Sequence, residues 1–142
     1  MRETGTFLHV GCGSKKKEQT PFANLNWEEI RLDINQKTKP DIIGSMLNME
    51  NVEDQSVDAV FSSHNIEHVY PHEVPIALKE FRRVIKDTGF LLITCPDLER
   101  VCSLVADNKL TETAYSSPAG PITPLDIIYG HRVSIANGNH FM

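Results

Sequence analysis

The stretch VDAVFSSHNIEHV, residues 57–69, decides how the rest of the chain is read. Val57 to Ser62 is a short run of apolar and small residues with the length and composition of a buried strand. The second half holds His64-Asn65-Ile66-Glu67-His68, an H-x-x-E-H string. On a stable helix that spacing sets two histidines one turn apart around a glutamate, as in a class of zinc peptidases. Pro71 and Pro75 follow closely, however, and a proline inside a helix costs about 3 kcal/mol. No long rigid helix is therefore expected through His64 to His72, and no metal is expected on His64 and His68. The string predicts the polar end of a strand, with Glu67 and His68 anchoring the next loop against a glycine turn.

Downstream, Val74, Leu78, Phe81 and Ile85 recur at helical spacing, with Lys79, Glu80, Arg82 and Arg83 largely turned away. Asp87-Thr88-Gly89 predicts the turn that ends this helix. Phe90 to Cys95 predicts the next strand, closed by Pro96. Such a strand–helix–strand unit is a right-handed crossover between parallel strands. Upstream, strands are predicted at Phe7 to Val10, Glu29 to Ile34 and Asp41 to Gly44. Near-continuous apolar strands point to a parallel sheet covered on both faces. The expected class is α/β, a mostly parallel sheet of about five strands with flanking helices.

A chain of 142 residues, 40% hydrophobic and 23% charged, suits one soluble domain. A single domain over residues 1–142 is expected, with a core at 7–97 and a variable helical and loop region at 98–142. A net charge of −5 argues against a nucleic-acid partner held on a broad basic surface. Lys15-Lys16-Lys17 reads as a solvated loop. Three cysteines, Cys12, Cys95 and Cys102, lack CxxC spacing and suit a reducing compartment better than a disulfide framework. With no secretion-type apolar segment and no run of about 18 apolar residues, a cytoplasmic protein without a membrane partner is expected. In the variable region, Asp97 predicts the cap of a helix from Leu98 to Val105, and Ser116 to Pro121 predicts a loop. Thr123-Pro124-Leu125-Asp126 predicts a helix start, with the helix running to about Asn137 and Gly138 as its cap.

Val10-Gly11-Cys12-Gly13 sets two glycines straight after the first strand, where backbone can approach a ligand closely. Asp33, at the end of the second strand, can accept hydrogen bonds from both hydroxyls of a ribose lying across the strand ends. Taken alone, these two features fit an ordinary turn and a capping acid as well.

Residues 57–69, followed by a helix and EFRRVIKDTGFLLITCPD at 80–97, resemble the central block of class I S-adenosylmethionine-dependent methyltransferases. LHVGCG, residues 8–13, looks like the family's first cofactor motif. The resemblance runs through Asp58, Ser63-His64, Ile66-Glu67-His68, Arg83 to Gly89 and Pro96-Asp97, covering roughly residues 7 to 97. It implies a Rossmann-like sheet and S-adenosyl-L-methionine as cofactor, its amino-acid end over Val10, Gly11, Cys12 and Gly13 and its ribose on Asp33. It also implies adenine contacts at Ile34 and Ser45-Met46, and Ser63-His64 beside the sulfonium. The implied reaction is methyl transfer to a small-molecule or glycan acceptor. His64 and Asp97 are the candidate bases, with Tyr129 and His131 as further candidates from the last helix.

Four features depart from the family pattern. The third glycine is replaced within Ser14 to Lys17, the first helix is missing or very short, and Ser45 stands where an acid often binds the adenine amine. Only five strands are found against the usual seven, so the fold is expected to be incomplete, truncated before the last two. An uncovered fifth strand calls for cover, so Pro121 to Met142 is expected to pack near it or to mediate a homodimer. A cofactor-binding or scaffold domain without turnover stays open as the alternative, as does a nucleotide-sugar or dinucleotide enzyme.

Overall fold

The computed structural model describes residues 4–117 and 120–130. The chain divides into two compact units, Met1–Cys95 and Pro96–Met142. The first is built on strands β1 (Thr4–Val10), β2 (Asn26–Asp33), β3 (Ile42–Ile43), β4 (Val57–Ser63) and β5 (Ile85–Thr94), with helix α1 at Val74–Val84. Every pairing is parallel and the order is β3-β2-β1-β4-β5. This is the Rossmann-like α/β sheet expected. The strand order reverses between β1 and β4, the kind of position where open α/β sheets form a ligand crevice.

Alternation along the strands sends Leu8, Val10 and Val60 to one face and Phe7, Ala59 and Phe61 to the other. α1 covers the first face with Ala77, Phe81 and Val84. That stripe is rotated by one residue from the expected one: Leu78 is 39% exposed, and Ile85 belongs to β5. The helix stops at Val84 because Ile85 is already extended and pairs with Val57. Val57 pairs with Ile85 but Ala59 with Phe90, so Lys86 to Gly89 leave the ladder as a bulge. The predicted turn at Asp87-Thr88-Gly89 is thus an irregularity inside β5. A methyl on Gly89 would crowd the Asp58 carbonyl and the Ile85 side chain.

The opposite face is covered differently. Residues 11–25, linking β1 to β2, contain one 3-10 turn, Lys17–Gln19, and no α-helix, as expected. Phe22 takes the helix's place. It stacks on Phe7 at 4.1 Å and lies tilted against Trp27 at 5.4 Å and Phe61 at 6.0 Å.

The β3–β4 connection, residues 44–56, also lacks an α-helix and is pinned to α1 by Arg83. The guanidinium donates to the Met49 and Val52 carbonyls, both at 2.9 Å, and to Asp54 Oδ1 at 2.6 Å. It also grips Glu80 through two bonds of 2.8 Å, while Glu80 Oε2 accepts the Met49 amide at 2.7 Å. Glu80 and Arg83 were expected to turn away from the core; their charge is instead absorbed by this loop.

The Arg83 hydrogen bond holds the Glu80 carboxyl below its ordinary 4.5, against burial, which raises it. A carboxyl depressed in the folded state contributes its stability above the unfolded value and loses it as pH falls through the folded value. The urea midpoint should therefore drop below about pH 4.5, the ordinary value. Glu80→Gln should be less stable at neutral pH and show a smaller acid drop. Parallel pH curves for the two proteins would remove Glu80 from this role.

In the second unit, Asp97 caps α2 (Leu98–Ala106), accepting the Arg100 amide at 3.1 Å, as expected. Where a loop was expected, β6 (Tyr115–Ser117) and β7 (Gly120–Ile122) pair antiparallel, and Ile122 is buried. Helix α3 (Pro124–Tyr129) starts in a reciprocal cap between Thr123 and Asp126. It ends at Tyr129, well before Asn137, because Gly130 leaves the helix at φ +83°. His131, Asn137, Gly138 and the rest of the tail expected to pack near β5 lie outside the described residues. Among the described residues no helix is long and apolar enough to cross a membrane.

Candidate functional site

The carboxyl ends of β1, β2 and β4 meet at the reversal of strand order. After Val10 the chain turns through Gly11 (φ +64°) and Gly13 (φ +54°), both in the left-handed region that favours glycine. The Gly11 amide donates to the Leu32 carbonyl at 2.8 Å, folding the turn over the end of β2. The Gly13 amide donates to Asp33 Oδ2 at 2.7 Å, and Asp33 Oδ1 accepts the Asn35 amide at 2.8 Å. One carboxylate thus clamps two loops; Oδ1 keeps a lone pair for a further donor, while Oδ2 also faces the Cys12 thiol at 4.0 Å.

Two residues not singled out in the sequence support this turn. Arg31 Nη2 donates to the Gly13 carbonyl at 2.6 Å, Nε to Lys15 O at 3.2 Å and Nη1 to Lys39 O at 3.0 Å. Glu29 Oε2 accepts the Lys17 amide at 2.9 Å, and its Oε1 lies 2.7 Å from Nδ1 of buried His9. Burial pushes the His9 pKa below 6.5, opposed by the Glu29 hydrogen bond, so a neutral ring donating to the carboxylate fits best. The signal for His9 was available, a polar residue among the apolar Phe7, Leu8 and Val10 of β1, whereas Glu29 and Arg31 are regular polar positions of the alternating β2. Cys12 is buried beside Asp33, with its thiol pushed up to about 11 by burial, so it is a packing residue at neutral pH.

The two glycines face different surroundings. A methyl on Gly11 would fall on the Asn65 side chain, whereas one on Gly13 would meet nothing within 4 Å. Gly13 therefore presents bare backbone to open space.

At the end of β4, Ser63 Oγ accepts from Thr94 Oγ1 at 2.8 Å. His64 follows at φ +56°, in a region costly for a residue with a side chain, and its amide donates to the Thr94 carbonyl at 2.9 Å. Its side chain is 41% exposed, with Nδ1 3.5 Å from Glu67 Oε1. Ile66–His68 is a single 3-10 turn and α1 begins only at Val74, so the H-x-x-E-H string lies on no rigid helix. A bridge to the glycine turn is made by Asn65. Its Nδ2 donates to the Val10 and Ser63 carbonyls, each at 3.0 Å.

Ile34 is 73% exposed beside Asp33. Ser45 Oγ accepts the Leu47 amide at 3.2 Å, and Met46 packs on the core. Asp97 and Tyr129 belong to the second unit, where Asp97 caps α2.

The model of a family described as methyltransferase domain matches residues 8–93. No curated protein matches the chain significantly. Among solved structures, the chain is similar to a SAM-dependent methyltransferase from Archaeoglobus fulgidus, with 21% identity and a TM-score of 0.59, covering 87% of this chain and 57% of that one. A protein from Pyrococcus horikoshii OT3 gives 20% identity and a TM-score of 0.59 over 81% and 59% of the two chains. The 1,6-didemethyltoxoflavin-N1-methyltransferase of Burkholderia thailandensis, solved with S-adenosylhomocysteine bound, gives 11% identity and a TM-score of 0.53 over 85% and 68%. The chain thus spans under two thirds of the Archaeoglobus and Pyrococcus proteins.

Proposed function

Because this chain belongs to the methyltransferase domain family, we propose that it holds S-adenosyl-L-methionine across the reversal point of its sheet and transfers the methyl group to a small-molecule or glycan acceptor. The observation that carries this reading is Gly13: left-handed, facing open space, its amide fixed by Asp33. Such a cradle admits a ligand backbone-close, and the acid beside it suits a vicinal diol.

Val10, Gly11, Cys12 and Gly13 would line the amino-acid end of the cofactor. Asp33 would take the ribose hydroxyls on the acceptor capacity its carboxylate keeps beyond Gly13, Asn35 and the weakly held Cys12 thiol. The exposed Ile34 would offer apolar surface to the adenine, with Ser45-Met46 at its edge. Ser63-His64 would border the reacting centre. When bound, the cofactor supplies an electrophilic methyl group on a sulfonium that leaves as a neutral thioether. His64 is the proposed base, taking the proton of an acceptor hydroxyl as its oxygen bonds to the methyl carbon. Glu67, 3.5 Å from Nδ1, would hold the ring in orientation. Asp97, the other candidate base, already accepts from its own helix, so His64 is preferred.

Calorimetric titration with S-adenosylhomocysteine and, in parallel, with a nicotinamide dinucleotide tests the cofactor. Saturable binding of the first alone is expected; preference for the second would replace the reading with a dinucleotide site. With a labelled methyl donor and an acceptor found by screening, His64→Ala should lower turnover about 10²–10⁴-fold with S-adenosylhomocysteine affinity kept. Unchanged turnover would remove His64 as the base.

A further inference from the structure

The last residues paired between β1 and β4 are Val10 and Ser62. Just past this pair, at the reversal of strand order, Asn65 links the two strands. Its amide nitrogen ties the end of β1, through Val10 O, to the end of β4, through Ser63 O. The same side chain fills the space that a Cβ on Gly11 would need. Gly11 is therefore held to glycine by Asn65 as well as by its left-handed φ, whereas a methyl on Gly13 would meet nothing within 4 Å. We infer that Asn65 is a positioning residue for the cofactor's amino-acid end, acting through the Gly11–Gly13 turn and leaving Gly13 as the point of close approach. The inference rests on the cofactor site proposed above.

A carbonyl-capping asparagine with a purely structural role would affect global stability without discriminating among ligands. A positioning residue would affect the turn selectively. In Asn65→Ala, Val10 O loses its side-chain donor and Gly11 its packing. The Gly11 and Cys12 amides, held on Leu32 O, and the Gly13 amide, held on Asp33, should then exchange with solvent faster. Affinity for S-adenosylhomocysteine should fall about ten- to a hundredfold, since two hydrogen bonds of ordinary net worth are removed. Affinity for adenosine, which lacks the amino-acid end, should change less than about threefold. Gly11→Ala should be strongly disruptive in the parent and less so in the Asn65→Ala background, where the clash with Asn65 is gone and only the cost of alanine at φ +64° remains, the non-additivity of two groups sharing one space.

Hydrogen exchange and calorimetry on the two single variants and the double variant decide the matter. Faster exchange confined to Gly11–Gly13, with the ligand-selective loss, is the expected result. Unchanged exchange there, equal losses for both ligands, additive Gly11 and Asn65 effects, or an Asn65→Ala chain that does not fold would each overturn the inference. A parent chain that binds no S-adenosylhomocysteine would sink the cofactor reading instead, and exchange at the turn would still decide whether Asn65 positions it.

Discussion

Alanine at Asp33 is expected to abolish calorimetrically detectable binding of S-adenosylhomocysteine, a loss of at least about a hundredfold. The Asp33 carboxylate holds the Gly13 amide on one oxygen and the Asn35 amide on the other. Charge-assisted hydrogen bonds of this kind are worth roughly 1.5–3 kcal/mol each. Removing the acid deletes the proposed ribose acceptor and releases both loops that shape its surroundings. Asp33→Asn should lose less, since one carbonyl oxygen remains for one loop. Folding stability should fall only by a few kcal/mol, because Arg31 still ties Gly13 and Lys39 to β2. If the alanine variant binds within threefold of the parent, the ribose assignment is wrong.

The largest stability loss should come from Phe22→Ala, at roughly 3–5 kcal/mol. Small domains are stable by about 5–15 kcal/mol, so this one truncation removes a large part of the total. Phe22 is 2% exposed and is the hub of the aromatic cluster with Phe7, Trp27 and Phe61. The connection that carries it, residues 11–25, has no α-helix of its own to collapse into the gap. Its part of the loop is otherwise held by small polar links, such as the Phe22 amide on Thr20 Oγ1 at 3.1 Å, the charged contacts of Glu29, Arg31 and Asp33 falling earlier, at residues 13–17. Phe22→Leu keeps most of the volume and should cost far less. Urea unfolding of both variants gives the measurement; a loss below about 1 kcal/mol for the alanine form would mean that the loop refills the space itself.

The parallel sheet was legible because β1, β4 and β5 are apolar runs bounded by glycine, proline or polar clusters. Features set by distant partners were not. Ile85 continues the helical period of Val74 and Phe81, yet pairing with Val57 draws it into the sheet. Phe22 sits in a segment without periodicity, so nothing local marks it as core. At the site, two glycines after a strand and an acid ending the next were readable from general strand-end chemistry. Their clamp, with Gly13 donating to Asp33, needed the chain folded. Asn65 was hidden by its neighbours: in H-x-x-E-H the histidines and glutamate carry the chemical interest, and the residue between them makes the bridge.

The uneven placement of helix sets an order of assembly. Among the described residues of the first unit, only the connection from β4 to β5 carries an α-helix. Residues 57–94 can therefore gain local helical and apolar contacts early, while β1 and β2 must close a loop held by Phe22 and by the contacts of Glu29, Arg31 and Asp33. A transition state with β4, α1 and β5 formed follows from this separation of local from distant contacts. Truncating Phe81 should then slow folding, whereas truncating Phe22 should mainly speed unfolding. The glycine turn is assembled late and released early, so a ligand gripping it would lengthen the lifetime of the folded state without hastening its formation.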